Sequence, residues 1–361
     1  MMKSLSYDDI LLEPQYSEIT SRKNIDLSSR LDFEITLDIP LMSSPMDTVT
    51  EDQMAVSMAQ RGGLGVIHRY NTIDEQVNIF KKCMLSYGGN IANPYACAIG
   101  VTEDYLERAW ALREVGCKIL CLDVAHGHHL LVKRAIHNLK LEMPNVHIMA
   151  GNVASAKGYS DLAFWGADSV RIGVGGGSIC STRIQTGHGI PTFQAVRDCQ
   201  AEKVKMRLEN HPVIPIIADG GIKNSGDIVK ALAAGANFVM LGSLLAGTDE
   251  APGKEKLEYY KRGPNNSAHR LKKPVRKKLY RGMASKEAQN DWKGSYSSDE
   301  GVETWIDHKG SVTPIIEGLI GGVRSGLSYS GAKNIEELQE KVVFKLQSSL
   351  GALESSTHIM K

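Results

Sequence analysis

No run of apolar residues in this chain approaches the roughly 20 that a bilayer span requires, and the N-terminal stretch MMKSLSYDDILL lacks the apolar core of a secretion signal. A soluble, cytoplasmic protein with no membrane partner is expected. Excess charge of either sign is missing too: 42 Lys and Arg stand against 41 Asp and Glu, so net charge gives no reason to expect nucleic acid as a partner. Aromatic residues are scarce, at 6%, and the basic run Lys261–Lys278 has none interleaved for base stacking; it reads as a solvated hairpin. Six cysteines, at 83, 97, 117, 121, 180 and 199, are too sparse for a disulfide scaffold and read as free thiols. Cys117 and Cys121 are not followed by a matching Cys/His pair. His126, His128 and His129 have no carboxylate at ligand spacing, so neither group reads as a zinc site. What the balance leaves is a globular chain whose partners are small molecules.

What the chain does contain is alternation. Eight short apolar runs, Ile39–Ser43, Leu64–His68, Ala96–Gly100, Lys118–Asp123, His147–Gly151, Ser169–Gly173, Ile214–Ala218 and Phe238–Gly242, are separated by segments of helical periodicity such as DEQVNIFKKCM and SGDIVKALAAG. Strands apolar along their whole length belong to a parallel sheet covered on both faces. Eight strand-helix units are the count of a (β/α)8 TIM barrel, and the dinucleotide fingerprint of an open doubly wound sheet is absent after the first strand. The barrel occupies residues 1–361 as one domain, with a flap and basic hairpin inserted at about 255–310. Ala284–Gly310 lacks clear periodicity and suits a mobile lid, followed by helical segments at Val312–Gly322 and Asn334–Leu350.

A barrel does its chemistry where strands run into the following loops, and glycine and polar residues collect at those ends: SSPMD, HRY, DVAHGH, GNVAS, GVGGGSICSTR, DGG and GS. The cysteine at the end of the glycine-rich turn, Cys180, is the natural nucleophile, because backbone N–H groups around it favour the reactive thiolate. The structural alternative is a small buried hydrophobe beside an ordinary turn. Asp219-Gly220-Gly221 and Gly242-Ser243 place N–H groups where a phosphate monoester binds, and Asp219 can accept hydrogen bonds from ribose hydroxyls.

The motifs MDTVTE, GVIHR, AHGH, AGNV, GGGSICSTR, IADGGIKNSGDIVKALAAGA, VMLGS, YRGM and GGVRSGLSYSGA, in this order, resemble the IMP dehydrogenase and GMP reductase family from about Tyr7 to Lys341. The resemblance implies a barrel, homotetrameric, that binds a purine nucleoside monophosphate (GMP or IMP) with its C2 beside Cys180 and a nicotinamide ring against the purine. It further implies that Thr182 and Glu300 form a proton relay, that Asp219 binds ribose and Gly220, Gly221, Gly242 and Ser243 serve the nucleotide phosphate, and that Ser178 and Tyr280 also belong to the substrate site. Gly282 and Met283 then contact the base. Asp47, Thr48, Arg69, Asp123, Val124 and Ala125 fall to the coenzyme, and the carbonyls of Gly175, Gly177 and Cys180 to a monovalent cation such as K+.

The two branches of that family differ after the cysteine has added to C2. A reductase expels ammonia from GMP and delivers hydride from NADPH to give IMP; a dehydrogenase passes hydride from IMP to NAD and hydrolyses the adduct to XMP. The flap between Met283 and Glu300 has no adjacent Arg-Tyr pair and is short, no regulatory CBS-type insertion follows the second strand, and Thr186-Gly187 follows the cysteine loop. These features resemble the reductases and make GMP reductase the first reading, with NADPH as coenzyme. The DGGIKNSGDIVKALAAGA stretch and YRGM resemble dehydrogenases, which keeps IMP dehydrogenase as the alternative. Gly176 stands where reductases have proline, and Ser297 where many carry an arginine that would meet the NADP 2′-phosphate. Arg69 is the substitute partner, and NADH stays open. A third reading, a nucleotide-binding barrel without catalysis, leaves Cys180, Thr182 and Glu300 unexplained.

Overall fold

The computed structural model describes residues 3–86, 95–259, 274–295 and 299–355. The eight apolar runs form eight parallel strands, each within two residues of its expected ends: β1 (Leu41–Ser43), β2 (Leu64–Ile67), β3 (Ala96–Ile99), β4 (Ile119–Leu122), β5 (His147–Val153), β6 (Ser169–Ile172), β7 (Ile216–Asp219) and β8 (Phe238–Leu241). They close in sequence order, β8 pairing with β1. The covering helices are α1 (Asp52–Ala59), α2 (Ile73–Leu85), α3 (Tyr105–Glu114), α4 (Leu130–Glu142), α5 (Ala156–Phe164), α6 (Thr192–Leu208), α7 (Ser225–Ala233) and α8 (Val312–Tyr329). This is a (β/α)8 TIM barrel.

The period-2 alternation of strand side chains divides the core in two. Residues such as Met42, Val66, Ala98, Ile217, Phe238 and Met240 fill the barrel interior, joined by Leu31 and Leu37 from the short hairpin Ser29–Leu37, which plugs the end where the strands begin. The other parity, including Ile67, Leu120, Ile148 and Val170, packs against the helices. Each fully buried side chain of this size contributes roughly 1.5–3 kcal/mol. Helix starts follow the local sequence: Thr72 and Glu75 make a capping box on α2, and Asn224 accepts from Asp227 N–H on α7.

The plug is tied to the barrel by a polar chain. Asp32 Oδ2 lies 2.6 Å from His147 Nδ1, and His147 Nε2 lies 2.8 Å from Ser169 Oγ. Burial alone would raise the Asp32 pKa, but the hydrogen bond from His147, together with the N–H groups of Glu34 and Ile35, outweighs it and holds the carboxyl below its usual range. A depressed folded pKa stabilises the fold above the unfolded value and loses that contribution as pH falls through the folded one. Accordingly, the stability gap between the wild type and Asp32→Asn in urea unfolding is expected to be widest near neutral pH. It should close as pH drops below the ordinary aspartate value of 3.8; a gap that stays constant with pH would refute the coupling.

Two expectations need correction. The stretch Ala284–Gly310 is not without regular structure. It holds a helix, Lys286–Lys293, capped by Ser285 at one end and by left-handed Gly294 at the other, and the strand Glu303–Asp307. That strand, here β11, completes an antiparallel sheet with β9 (Glu255–Glu258) and β10 (Val275–Arg281). The closing segment Asn334–Leu350 is not one helix either: Ile335–Lys341 is helical, but Phe344–Leu346 is a strand paired with Ile10–Leu12, and a helix resumes at Ser349. Residues 261–273 of the basic run, and Ser297, lie outside the described residues; β9, which precedes the run, and β10, which contains its last four residues, pair antiparallel. No helix among the described residues is long and apolar enough to cross a membrane.

Candidate active site

Of the six cysteines, five are buried and Cys180 alone is partly exposed. Burial pushes the thiols of Cys83 and Cys121 up to about 12 and about 11, which leaves them inert as nucleophiles at neutral pH. Cys180 lies on the loop between β6 and the short helix Thr182–Thr186, and that loop is shaped by close backbone approaches. Gly173 has φ +153°, and a Cβ there would sit 1.9 Å from the Asp219 carbonyl oxygen; Gly220, at φ +93°, is pressed against Gly176 and Gly177. No side chain fits at either position.

The flap supplies the rest. Cys180 pairs with Gly301 in an antiparallel bridge. Ser181 N–H donates to the Glu300 carbonyl at 3.1 Å, and Val302 N–H donates to the Ile179 carbonyl at 3.0 Å. The segment 299–302 therefore lies beside the cysteine loop as a short strand, and this backbone pairing puts the Glu300 side chain where the loop needs it. Cys180 Sγ–H donates to Thr182 Oγ1 at 3.3 Å, and Thr182 O–H donates to Glu300 Oε2 at 2.8 Å. A thiol, a hydroxyl and a carboxylate thus form one hydrogen-bonded chain, able to pass a proton between carboxylate and sulfur.

These three side chains open on a cavity of about 390 Å³ at the C-terminal end of the barrel strands, the end where such barrels carry their sites. Asp219, Gly220, Gly221, Gly242, Ser243, Ser178, Tyr280, Gly282 and Met283 all line it, as do Arg69, Asp123, Val124, Ala125, Gly175 and Gly177. Tyr280 hydroxyl is 3.4 Å from Ser178 Oγ. Burial raises its pKa, the Ser178 hydrogen bond opposes this, and the Asp219 charge adds to it, so it stays a neutral hydrogen-bond donor.

Asp47 and Thr48, expected at the coenzyme, do not line the cavity. Thr48 is buried and its hydroxyl accepts from Arg281 N–H at 3.3 Å. Asp47 Oδ2 accepts from Arg281 Nε and Nη2 at 2.9 and 2.6 Å. An arginine from the flap sheet has captured the pair. The same guanidinium reaches Asp291 on the flap helix at 2.5 Å, while Tyr70 donates to the Met283 carbonyl at 2.8 Å and stacks on Trp292. Arg281→Met is expected to loosen the flap, lowering kcat about tenfold through misplacement of Glu300 and speeding proteolysis within 284–295; an unchanged kcat would refute this role.

The sequence also left Arg171 unnoticed, although a lone arginine inside the apolar run SVRI is its signal. It points into the barrel, buried, and bridges Asp123 at 3.0 Å and Asp219 at 3.1 Å, while Asn152 Nδ2 donates to Asp219 Oδ2 at 2.8 Å. Both carboxylates at the cavity floor are therefore held in fixed orientation. Of the three histidines in this loop region, His128 meets Asp161 at 2.8 Å, His129 Nδ1 accepts from Leu131 N–H, and His126 packs edge-on against the His128 ring, centroids 6.4 Å apart.

Known proteins resemble this chain along nearly its whole length. The sequence profile described as "IMP dehydrogenase / GMP reductase domain" matches residues 4–358. The chain is 34% identical to an inosine-5'-monophosphate dehydrogenase of Nitrosopumilus maritimus, covering 99% of this chain and 98% of that protein. It is 36% identical to the inosine-5'-monophosphate dehydrogenase of Cryptosporidium parvum, covering 99% and 95%. Among solved structures, a cysteine-to-alanine variant of GMP reductase from Trypanosoma brucei, in complex with guanosine 5'-monophosphate, superposes with a TM-score of 0.87 at 30% identity, covering 99% of this chain and 98% of that one. The chain belongs to the IMP dehydrogenase / GMP reductase family and is an oxidoreductase of purine metabolism.

Proposed function

We propose that this protein is a GMP reductase that converts GMP to IMP and ammonia, with NADPH as the reductant. The observation that carries the reading is the chain Cys180–Thr182–Glu300, at 3.3 and 2.8 Å, facing a cavity walled by phosphate-cradling glycines; the GMP carried by the trypanosomal neighbour supports the substrate. In the first step Cys180 sulfur bonds to purine C2 while the C2–amine bond breaks. The thiol proton passes through Thr182 to the Glu300 carboxylate as sulfur adds, and returns through Thr182 to the departing nitrogen, which leaves as ammonia. The product of this half-reaction is a thioimidate on Cys180.

A bound nicotinamide coenzyme would supply the hydride for C2; as the C–S bond breaks, sulfur would regain a proton taken up from solvent and relayed through Glu300 and Thr182. Arg69, Asp123, Val124 and Ala125 face the same cavity and fit its nicotinamide end. Arg69 Nε is already bound to the Asp123 carbonyl at 3.2 Å, which orients the guanidinium at the rim for a phosphate. Three carbonyls, those of Gly175, Gly177 and Cys180, are too few for a hard cation within one chain. The Gly177 carbonyl also accepts Cys180 N–H at 3.2 Å, so no step here depends on K+.

One observation favours a second reading, IMP dehydrogenase: the curated relatives at 32–36% identity carry that name. Absorbance at 340 nm separates the two. Loss of NADPH with GMP supports the reductase, gain of NADH with IMP supports the dehydrogenase, and silence in both directions would reduce the protein to a nucleotide binder. On family grounds the protein is also proposed to be a cytoplasmic homotetramer, which sedimentation velocity tests.

A further inference from the structure

Against the glycine cradle lies a second cavity that shares part of its lining. This lobe, of about 270 Å³, shares Gly176, Ser178, Gly221, Ile222 and Ser243 with the first, and its far wall carries Arg183 and Lys223. A phosphate monoester held on the shared residues has its free oxygens at the boundary between the lobes, so whatever is attached to those oxygens extends into the second lobe. The cations there are not committed to the fold. Arg183 packs its aliphatic part against Gly175 and Gly189, and among the described residues its guanidinium has no ion-pair partner. Lys223 Nζ binds both carboxylate oxygens of Asp8 at 2.7 Å, but both side chains are more than half exposed, and such surface pairs are worth only about 0–1 kcal/mol. An anion of higher charge can therefore take Lys223 from Asp8 at little cost. The two cations and one carboxylate leave the lobe with one net positive charge.

We infer that this lobe is an anion subsite for a second phosphoryl group, so that purine nucleoside 5′-diphosphates bind the nucleotide cavity through Arg183 and Lys223. The inference rests on the nucleotide reading above. It adds a ligand class: the monophosphate uses the cradle alone, and the diphosphate uses the cradle and both cations, with charge-assisted bonds to each.

The test is calorimetric titration of wild type, Arg183→Met and Lys223→Met with GMP, GDP and inorganic phosphate, without coenzyme. Wild type is expected to bind GDP at least as tightly as GMP. Each variant should weaken GDP about tenfold or more, as expected for loss of a charged hydrogen bond, and GMP less than about threefold. Two variants are used because Arg183 lies in the short helix that follows the cysteine loop; Lys223, mostly exposed, can be replaced without disturbing that loop. GDP binding tenfold or more weaker than GMP, or variants that weaken both ligands equally, would overturn the subsite and leave the nucleotide site standing. Inorganic phosphate that binds GMP-saturated protein while GDP fails to compete with GMP would show a free-phosphate site and overturn the diphosphate proposal. Failure of GMP itself to bind would overturn the nucleotide reading, and this inference with it.

Discussion

Cys180→Ala is expected to abolish turnover with GMP and NADPH, and with IMP and NAD, by a factor of about 10⁴ or more while nucleotide affinity changes little. The asymmetry follows from geometry. Cys180 sits at one edge of the cavity on a loop shaped by Gly173, Gly220 and the Gly301 pairing. On the proposed function, phosphate and ribose recognition rests mainly on other loops, at Asp219–Gly221 and Gly242–Ser243, which line the same cavity. Removing the sulfur takes away the group that forms the covalent bond and leaves the cradle intact. No other cysteine can substitute, since the remaining five are buried. The check is steady-state kinetics beside GMP titration of the same preparation. Turnover within tenfold of wild type would remove Cys180 from the mechanism.

Glu300→Gln and Thr182→Val form the second expectation, each lowering kcat about 10²–10³-fold with KM for the nucleotide nearly unchanged, the range that a positioned general acid-base group contributes. The two residues share one hydrogen bond of 2.8 Å, so they act in series. The double variant should then be little worse than either single one, because breaking one link already stops the proton. Glu300→Gln preserves the shape of the side chain and the backbone pairing of residues 299–302 with the cysteine loop, so its defect isolates the proton from the architecture. Effects that multiply in the double variant would show two independent roles and refute the relay.

How far the sequence alone led can be judged from particular residues. The barrel strands were legible because each is a short, wholly apolar run, and burial on both faces leaves no other use for such a run in a chain of this composition. The cysteine, its threonine and the glycine cradles were legible because each sits at a strand end, where one local motif implies its own backbone geometry. What failed was non-local. The strand Phe344–Leu346 exists because Ile10–Leu12, more than 300 residues away in sequence, offers its edge; local periodicity could only suggest a continued helix. Asp47 stands apart from the cavity lining, with Arg281, brought over it by the flap sheet, binding one of its carboxylate oxygens. Arg171 was passed over because an arginine in an apolar strand has no meaning until Asp123 and Asp219 are seen to flank it. The flap helix was the avoidable miss, since Ser285 followed by Lys-Glu-Ala and closed by Gly294 is a local start and stop signal.

The most direct test of the account is the mass of the intact protein quenched during turnover. On the proposed mechanism, the reductase and dehydrogenase reactions pass through the same species on Cys180. Addition of GMP with loss of ammonia, and addition of IMP with loss of two hydrogen atoms as hydride and proton, give one common mass. The account predicts that this adduct forms with either substrate pair that turns over, maps to the peptide carrying Cys180, and is absent from Cys180→Ala. Turnover with no covalent nucleotide on that peptide, under quench conditions that preserve a thioimidate, would contradict it.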